Sequence, residues 1–330
     1  MRFLLTFLFL LATPLHAFDC SGTDLLPQMP TEERLKLEAR AGIAPYPEGL
    51  FWRATRGDTE FTLFGTYHIA HQATADQLDA LLPHAQAAEL SYFEMSYPDL
   101  QAFERRATTD ASIMFITDGP TLPELLDEDD WQRLRAAMAE RGIPSFMAAK
   151  FKPIFVSMML GLSPCQIKAQ TSGEKGIDER LSRALHETGQ PGRSIEDVMT
   201  TVHVLDSFSE AEQIAMIKLS LDLPIDPDDL QETMLQLYLA GRVSLLWEFG
   251  RSLSIQYGGP TAEADFAKFE DVLLTKRNRA WVEELEANAT GKKVFVAVGA
   301  GHLPGEIGLL RRLEQRGYTI APLTLDAKAD

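Results

Sequence analysis

Residues 61–68 read FTLFGTYH, and residues 295–302, near the other end of the chain, read FVAVGAGH. Phenylalanine, glycine and histidine recur at the same three places in both stretches. Each begins as an apolar run typical of a buried strand, and its glycine then allows a sharp turn. Residues that favour a helix follow both stretches. Strand, loop and helix form the repeating step of α/β proteins, so the sequence predicts an α/β fold.

The first stretch lies inside a larger predicted unit. Residues 50–55 and 59–64 are apolar runs separated by Arg-Gly-Asp, which indicates a β-hairpin. A helix is predicted over residues 74–88, with Pro83 as a break, and another strand over residues 90–95. Because a βαβ unit places its two strands in parallel, we expect the strands at 59–64 and 90–95 to be parallel neighbours.

The far end of the chain repeats this order. A strand at residues 293–298 leads through the second loop to a helix at 305–316, which ends at Gly317, and then to a strand at 318–324. Between these ends the pattern is mostly helical, with helices expected at residues 127–141, 144–162, 176–188, 197–221, 229–240 and 262–287.

We therefore predict a single α/β domain over residues 18–330. Its sheet is built from two βαβ-type repeats at the two ends of the chain, with a large helical insertion at about 98–290. A hydrophobic content of 45% and a charged content of 24% are typical of a folded globular protein.

The charge balance excludes some classes of partner. The chain has 31 Lys and Arg residues against 48 Asp and Glu residues, a formal net charge of −17. Binding to phosphate backbones requires clusters of basic residues, so we expect no nucleic-acid partner. The same charge does not suit an anionic membrane surface.

The first 17 residues, MRFLLTFLFLLATPLHA, have the layout of a secretory signal peptide, with cleavage expected near Ala17. The apolar run at residues 3–12 is too short to cross a bilayer, and no later run is long enough. The sequence thus predicts a periplasmic or secreted protein without a stable membrane anchor. Cys20 and Cys165 are the only cysteines, and in an exported protein they favour a single disulfide, the alternative being two separate buried thiols.

The two G-x-x-H loops point to a shared site. Parallel α/β sheets bind ligands beyond the carboxyl ends of their strands, where His68 and His302 would converge if both strands belong to one sheet. The alternative is that His68 simply caps a helix. Glu94, at the end of the next predicted strand, is an acid in an apolar run, so it either joins the site or forms a salt bridge or faces solvent.

His68, Glu94 and His302 together supply two imidazole nitrogens and a carboxylate, a ligand set that suits a divalent transition metal. Manganese, cobalt, iron and zinc all fit such a set. A metal bound there would activate water for attack on an amide or ester carbonyl of a peptide or small-molecule substrate, and together with the resemblance that follows this predicts a metal-dependent hydrolase.

Several stretches in order resemble the TraB/GumN family, which includes the pheromone-shutdown protein PrgY and the Tiki membrane proteins. They are Gly65-Thr-Tyr-His68, Phe93-Glu94-Met95-Ser96, Gly176-Ile177-Asp178, Ile195-Glu196, Arg277-Asn278-Arg279-Ala280-Trp281 and Gly299-Ala-Gly-His302-Leu303-Pro304-Gly305. The resemblance implies a Tiki-like metalloprotease site at His68, His302 and Glu94, and the fold of erythromycin esterase-like and ChaN-like proteins. Ser96 departs from the family pattern, which more often has an acid there, so no role is carried over to it.

Three further residues receive candidate roles. Arg277 is a candidate for stabilising a developing oxyanion, the alternative being a structural ion pair. Asp178 and Glu196 are candidates for a general base or for orienting a histidine, and Asp178 for capping the following helix. Two other functions stay open: a peptide-binding module without turnover, and a metal-free hydrolase of the esterase type with a histidine as base.

Overall fold

The computed structural model describes residues 20–190 and 192–325 of the 330-residue chain. Its centre is one six-stranded sheet in the order β4-β3-β5-β2-β1-β6. The strands are β1 Phe51–Arg56, β2 Thr59–Thr66, β3 Leu90–Phe93, β4 Arg193–Ser194, β5 Lys293–Gly299 and β6 Thr319–Pro322.

Helices surround this sheet and fill the middle of the chain. The first eight α-helices are α1 Thr31–Gly42, α2 Ala75–Ala87, α3 Tyr97–Thr109, α4 Leu122–Leu125, α5 Glu128–Glu140, α6 Ser145–Ala148, α7 Pro153–Leu160 and α8 Pro164–Thr171. The others are α9 Ile177–Glu187, α10 Val198–Asp206, α11 Glu210–Asp222, α12 Pro227–Leu239, α13 Val243–Tyr257, α14 Ala262–Glu270, α15 Lys276–Ala289 and α16 Leu309–Gln315. The protein therefore has a mixed α/β architecture, as the sequence predicted.

The expectation that the first two parallel strands are neighbours is wrong. β2 and β3 do run in parallel, but β5 lies between them and pairs in parallel with both. The far end of the chain therefore enters the middle of the sheet. β5 suits this position because six of its seven residues are buried, as expected for a strand covered on both faces.

The last strand closes the opposite edge. β6 pairs antiparallel with β1, the outer strand of the predicted hairpin, and so does not lie beside β5. Gly317, which precedes β6, has a φ of +86° and occupies the left-handed conformation expected after the end of a helix.

Alternation along β5 divides the core into two layers. Val294, Val296 and Val298 pack on one face with Trp281 of α15. Phe295 and Ala297 pack on the other face, in a cluster with residues of α2 and α9. Successive side chains of a strand point to opposite faces, so one strand anchors both layers.

The middle of the chain is helical, with several differences in boundaries. Helix α2 continues through Pro83 instead of breaking there. The helix predicted at 197–221 is two helices, because Ser209 caps α11 through a capping box. Residues 271–275 form one π-helical turn between α14 and α15, and β4 adds an edge strand to the sheet from within this region.

A disulfide joins Cys20 to Cys165, as predicted, and ties the segment before α1 to the start of α8. The adjoining segment also docks on α12, where the backbone nitrogen of Leu25 donates to Thr233. In the part of the chain that the structure describes, no helix is long and apolar enough to cross a membrane. The predicted signal peptide, residues 1–17, lies outside the described residues.

Candidate functional site

Three side chains meet beyond the carboxyl ends of β2, β3 and β5. His68 follows β2, Glu94 follows β3, and His302 ends the single 3-10 turn after β5. The Nε2 atoms of His68 and His302 each lie 3.6 Å from the same oxygen, Oε1 of Glu94. Parallel pairing with β5 in the middle brings these three strand ends to one edge.

The backbone fixes the position of Glu94. Its Oε1 accepts a hydrogen bond of 2.6 Å from the backbone nitrogen of Gly299, at the end of β5. A Cβ atom at Gly299 would lie 2.7 Å from Nε2 of His68 and 3.0 Å from Oε1 of Glu94. Glycine at this position therefore leaves the space in which the carboxylate and the imidazole approach each other.

His302 is buried and held in a single orientation. Its Nδ1 lies 2.6 Å from Oδ1 of Asn278, whose amide nitrogen donates to the backbone oxygen of Ile307 at 2.9 Å. Since Oδ1 can only accept, Nδ1 of His302 carries the hydrogen and Nε2 carries the lone pair. The ring also stacks on Trp281 at a centroid distance of 4.3 Å. Burial, offset in part by Glu94, lowers the pKa of His302 to about 3, so the ring is neutral at physiological pH.

His68 occupies a different environment. Its side chain is 54% exposed, and its Nδ1 lies 3.2 Å from Oδ2 of Asp178. Partial loss of solvation lowers the pKa of His68, but Asp178 and Glu94 raise it by more, so that it lies well above the usual value of 6.5. The two imidazoles therefore differ in charge: His68 is a cation and His302 a neutral ring.

Glu94 is ionised within this cluster. Burial raises its pKa, but the cationic neighbours His68 and Arg277 oppose this, and the pKa lies well below the ordinary value. Its second oxygen, Oε2, accepts a 2.7 Å hydrogen bond from Arg277. The two oxygens thus divide their contacts, Oε1 toward the histidines and Oε2 toward the guanidinium.

Arg277 forms the ion pairs that were the alternative to an oxyanion role. Besides Glu94, its guanidinium contacts Oε1 of Glu196 at 2.6 and 2.8 Å and stacks on the ring of Trp281 at 4.6 Å. Its Nη1 also lies 3.4 Å from Nε2 of His302. Arg277 is buried, and with two carboxylates as partners its guanidinium is a fixed cation beside the histidine pair.

Glu196 and Asp178 contact different members of the cluster. Glu196 contacts Arg277, the indole nitrogen of Trp281 at 3.0 Å and Thr201, and within the described residues it forms no hydrogen bond to a histidine. It therefore positions Arg277. Asp178 lies in the first turn of α9 without a capping hydrogen bond, and its contact is with His68.

Two residues of this site had no role in the sequence analysis, although the stretch that contains them was noted. Asn278 fixes the orientation of His302, and Trp281 lies under both His302 and Arg277. Helical spacing is the signal that could have found them. Arg277 and Trp281 are four residues apart on α15 and so share one face.

The donor set fits a divalent cation in its chemistry. Within the described residues, no group of three or more His, Cys, Asp or Glu side chains has the spacing of a metal site. The lone pair of His302 nevertheless faces Oε1 of Glu94 at 3.6 Å, wider than a hydrogen bond and with no hydrogen between them. A divalent cation bound between these two atoms would be attracted to both, and Nε2 of His68 would join them as a ligand on losing its proton.

The chain belongs to the TraB/PrgY/gumN family, whose model matches residues 50–322. It is similar to the uncharacterized protein YbaP of Escherichia coli (strain K12), with 27% identity over 262 residues. That match covers 78% of this chain and 89% of YbaP. No solved structure gives a significant match.

Proposed function

We propose that the protein is a metal-dependent hydrolase of amide or ester bonds that acts in the periplasm or outside the cell. The observation that supports this most directly is the approach of both Nε2 atoms, from His68 and His302, to one oxygen of Glu94. These three atoms would hold the divalent ion. Manganese, cobalt, iron and zinc are the candidate ions, since each accepts imidazole and carboxylate ligands.

Bound there, such an ion would supply a Lewis acid that lowers the pKa of water from about 15.7 toward ~7 and polarises a carbonyl. The surrounding residues prepare the ligands for this role. Asn278 and Asp178 hold the Nδ1 atoms of the two histidines, which directs both Nε2 atoms to the same point. His68, the more exposed ligand, lies where solvent and substrate reach the site.

Arg277 has an electrostatic role in this proposal. Its guanidinium keeps Glu94 ionised, as a carboxylate ligand must be, and Glu196 holds the guanidinium in place. The described partners of Arg277 are the two carboxylates, the backbone oxygen of Leu273, Nε2 of His302 and the indole ring, so we assign it to positioning and charge balance. For the fold, we propose the erythromycin esterase-like, ChaN-like and Tiki-like arrangement, with β2-α2-β3 and β5-α16-β6 as the two repeats.

Metal content provides the first test. The purified protein is stripped with a chelator, incubated with each candidate ion, dialysed and analysed for bound metal. We expect about one equivalent in the wild type and in His203→Ala, an exposed histidine outside the site. His68→Ala, His302→Ala and Glu94→Gln should retain less than a tenth of it. Equal metal content in all five proteins would contradict the proposal.

Turnover is tested separately, by mass spectrometry of a peptide mixture incubated with metal-loaded and with stripped protein. New fragments that require the loaded wild type and are lost in Glu94→Gln support hydrolysis. Peptides that co-purify with the protein but stay intact would instead support the peptide-binding alternative.

The contact between His68 and Asp178 supports one second candidate, a metal-independent hydrolase. An imidazole whose Nδ1 contacts a carboxylate shares that contact with the histidine base of a catalytic triad. Activity that survives exhaustive chelation and is lost in Asp178→Asn would favour this candidate. Activity restored only by added metal would favour the first.

A further inference from the structure

A basic groove lies directly beside the site. It is lined by the loop after His68 and by the segment around α9, and it encloses about 290 Å³. Its charged or ionisable lining residues are His71, Glu174, Lys175, Arg180 and Arg183. Three of these lining residues are cations and one is an acid, in a chain whose formal net charge is −17; Glu179 and Glu187, which pair with two of the cations, lie outside the lining.

The cations of this groove form only weak ion pairs with other residues. Lys175 and Arg183 pair with Glu179 and Glu187 at i,i+4 spacing, with half-exposed or exposed side chains. Exposed pairs of this kind contribute little and exchange readily with solvent. Arg180, which lies between them, forms no ion pair within 4 Å among the residues that the structure describes.

The groove is rigidly connected to the histidine cluster. Asp178, the partner of His68, lies two residues before Arg180 on α9. A Cβ atom at Gly176 would lie 2.3 Å from the backbone oxygen of His68, so the two walls are in direct backbone contact. Nδ1 of His71 accepts a hydrogen bond from the backbone nitrogen of Ala73, which leaves the Nε2–H group of the neutral ring as a donor.

We propose that this groove is an anion subsite, which binds a carboxylate of the substrate next to the bond that is cleaved. The identification of the ligand as a substrate rests on the proposed function, while the binding of a carboxylate does not. Guanidinium groups match carboxylates in geometry and charge, and Arg180 supplies one that forms no ion pair within residues 20–190 and 192–325. The carboxylate comes either from the C-terminus of a peptide or from an acidic side chain within it.

Binding of three uncleaved peptides to the metal-stripped full chain tests this proposal, because stripping separates binding from turnover. The probes are N-acetylated tetra-alanine with a free C-terminal carboxylate, its C-terminal amide, and an amidated tetrapeptide with one internal aspartate. Calorimetry measures each affinity at low ionic strength. We expect at least one carboxylate peptide to bind about tenfold more tightly than the neutral amide, and that peptide identifies the source of the carboxylate.

Variants test whether the groove causes this preference for a carboxylate peptide. Arg180→Gln should abolish the preference for the carboxylate peptide. Lys175 has its side chain on the surface, and Lys175→Gln should reduce the preference. Arg135→Gln removes the same charge from an exposed position on α5, outside the groove, and should leave it intact. Equal binding of the three peptides, no binding of any, or a preference that survives both groove variants would overturn the proposal. Loss of metal or of hydrolysis would leave this measurement unaffected, so the two proposals fail separately.

Discussion

The two G-x-x-H loops share a sequence pattern but not an environment. His302 is buried, neutral, stacked on Trp281 and fixed by Asn278, whereas His68 is half-exposed, cationic and paired with Asp178. Both present Nε2 to Glu94. The difference shows that a repeated motif can end two strands at the same edge of a sheet, while packing decides which copy becomes a rigid anchor and which becomes the accessible side of a site.

The largest loss of stability should come from removing Arg277, the cation beside the buried His302 loop. Arg277→Gln leaves Glu94 and Glu196 without their guanidinium, and breaking a buried ion pair by removing one partner costs about 3–5 kcal/mol. Chemical denaturation at pH 7 measures this loss in the free energy of unfolding. A cost near zero would mean that the two carboxylates are solvated in solution, contrary to the contacts described above.

The next prediction compares the two histidines directly. His302→Ala removes a ring that is 4% exposed and stacked on Trp281, and we expect it to cost about 2–4 kcal/mol. His68→Ala removes a half-exposed ring with ion-pair contacts, and we expect a loss below about 1 kcal/mol. Both are measured on stripped protein by urea unfolding. Equal losses would contradict the division into an anchor and an accessible side.

Asn278→Ala isolates the orientation of the anchor from its packing. The change removes the 2.6 Å contact to His302 and leaves buried groups unpaired, so the free energy of unfolding should fall by about 1–3 kcal/mol. Nitrogen-15 spectra of the imidazole provide the decisive measurement. The wild type should show Nδ1 protonated and Nε2 not, and the variant should show a mixture. An unchanged tautomer in the variant would mean that another group fixes the ring.

Protonation of the two imidazoles should change the stability least, but it should show the clearest contrast between His68 and His302. In the stripped protein, His302 should stay neutral from pH 8 to pH 5, since its pKa is lowered to about 3, whereas His68 should stay protonated above pH 6.5. Proton and nitrogen chemical shifts of the labelled imidazoles measure both. Two rings that titrate together near the ordinary value would remove the contrast.

The sign of the linked stability follows from these directions. The pKa of His68 is raised on folding, so its contribution is fully present below about 6.5 and is lost as the pH rises through the folded value. The stability deficit of His68→Gln should therefore shrink toward alkaline pH. For His302 the folded pKa is lowered, so the unfolded chain takes up a proton on this ring before the folded protein does. The folded state therefore loses stability as the pH falls from about 6.5 toward 3.

The sequence was informative where a local pattern has one physical cause. The strand runs before Gly65 and Gly299, the turn after each, and the pairing of Cys20 with Cys165 were all predicted from composition and spacing. The gathering of strand ends at one sheet edge also follows from the general behaviour of parallel sheets, without knowledge of the strand order.

Strand order itself was predicted wrongly, because β5 separates β2 and β3, and no local signal near residues 59–95 encodes a strand from residues 293–299. The roles of Asn278 and Trp281 were not predicted for the same reason, since their partner His302 lies more than 20 residues away along the chain. The basic groove likewise combines residues 71 and 183, which are distant in sequence.

The amino-acid sequence alone thus determined the α/β class, the two histidine loops, the acidic partner Glu94 and the disulfide, because hydrophobic periodicity, glycine turns and cysteine count act over short distances. The tertiary structure alone decided which histidine is buried, which tautomer it adopts, and that Arg277 and Glu196 pair with each other. These depend on contacts between segments far apart in the chain, where burial and Coulomb energy are set by packing.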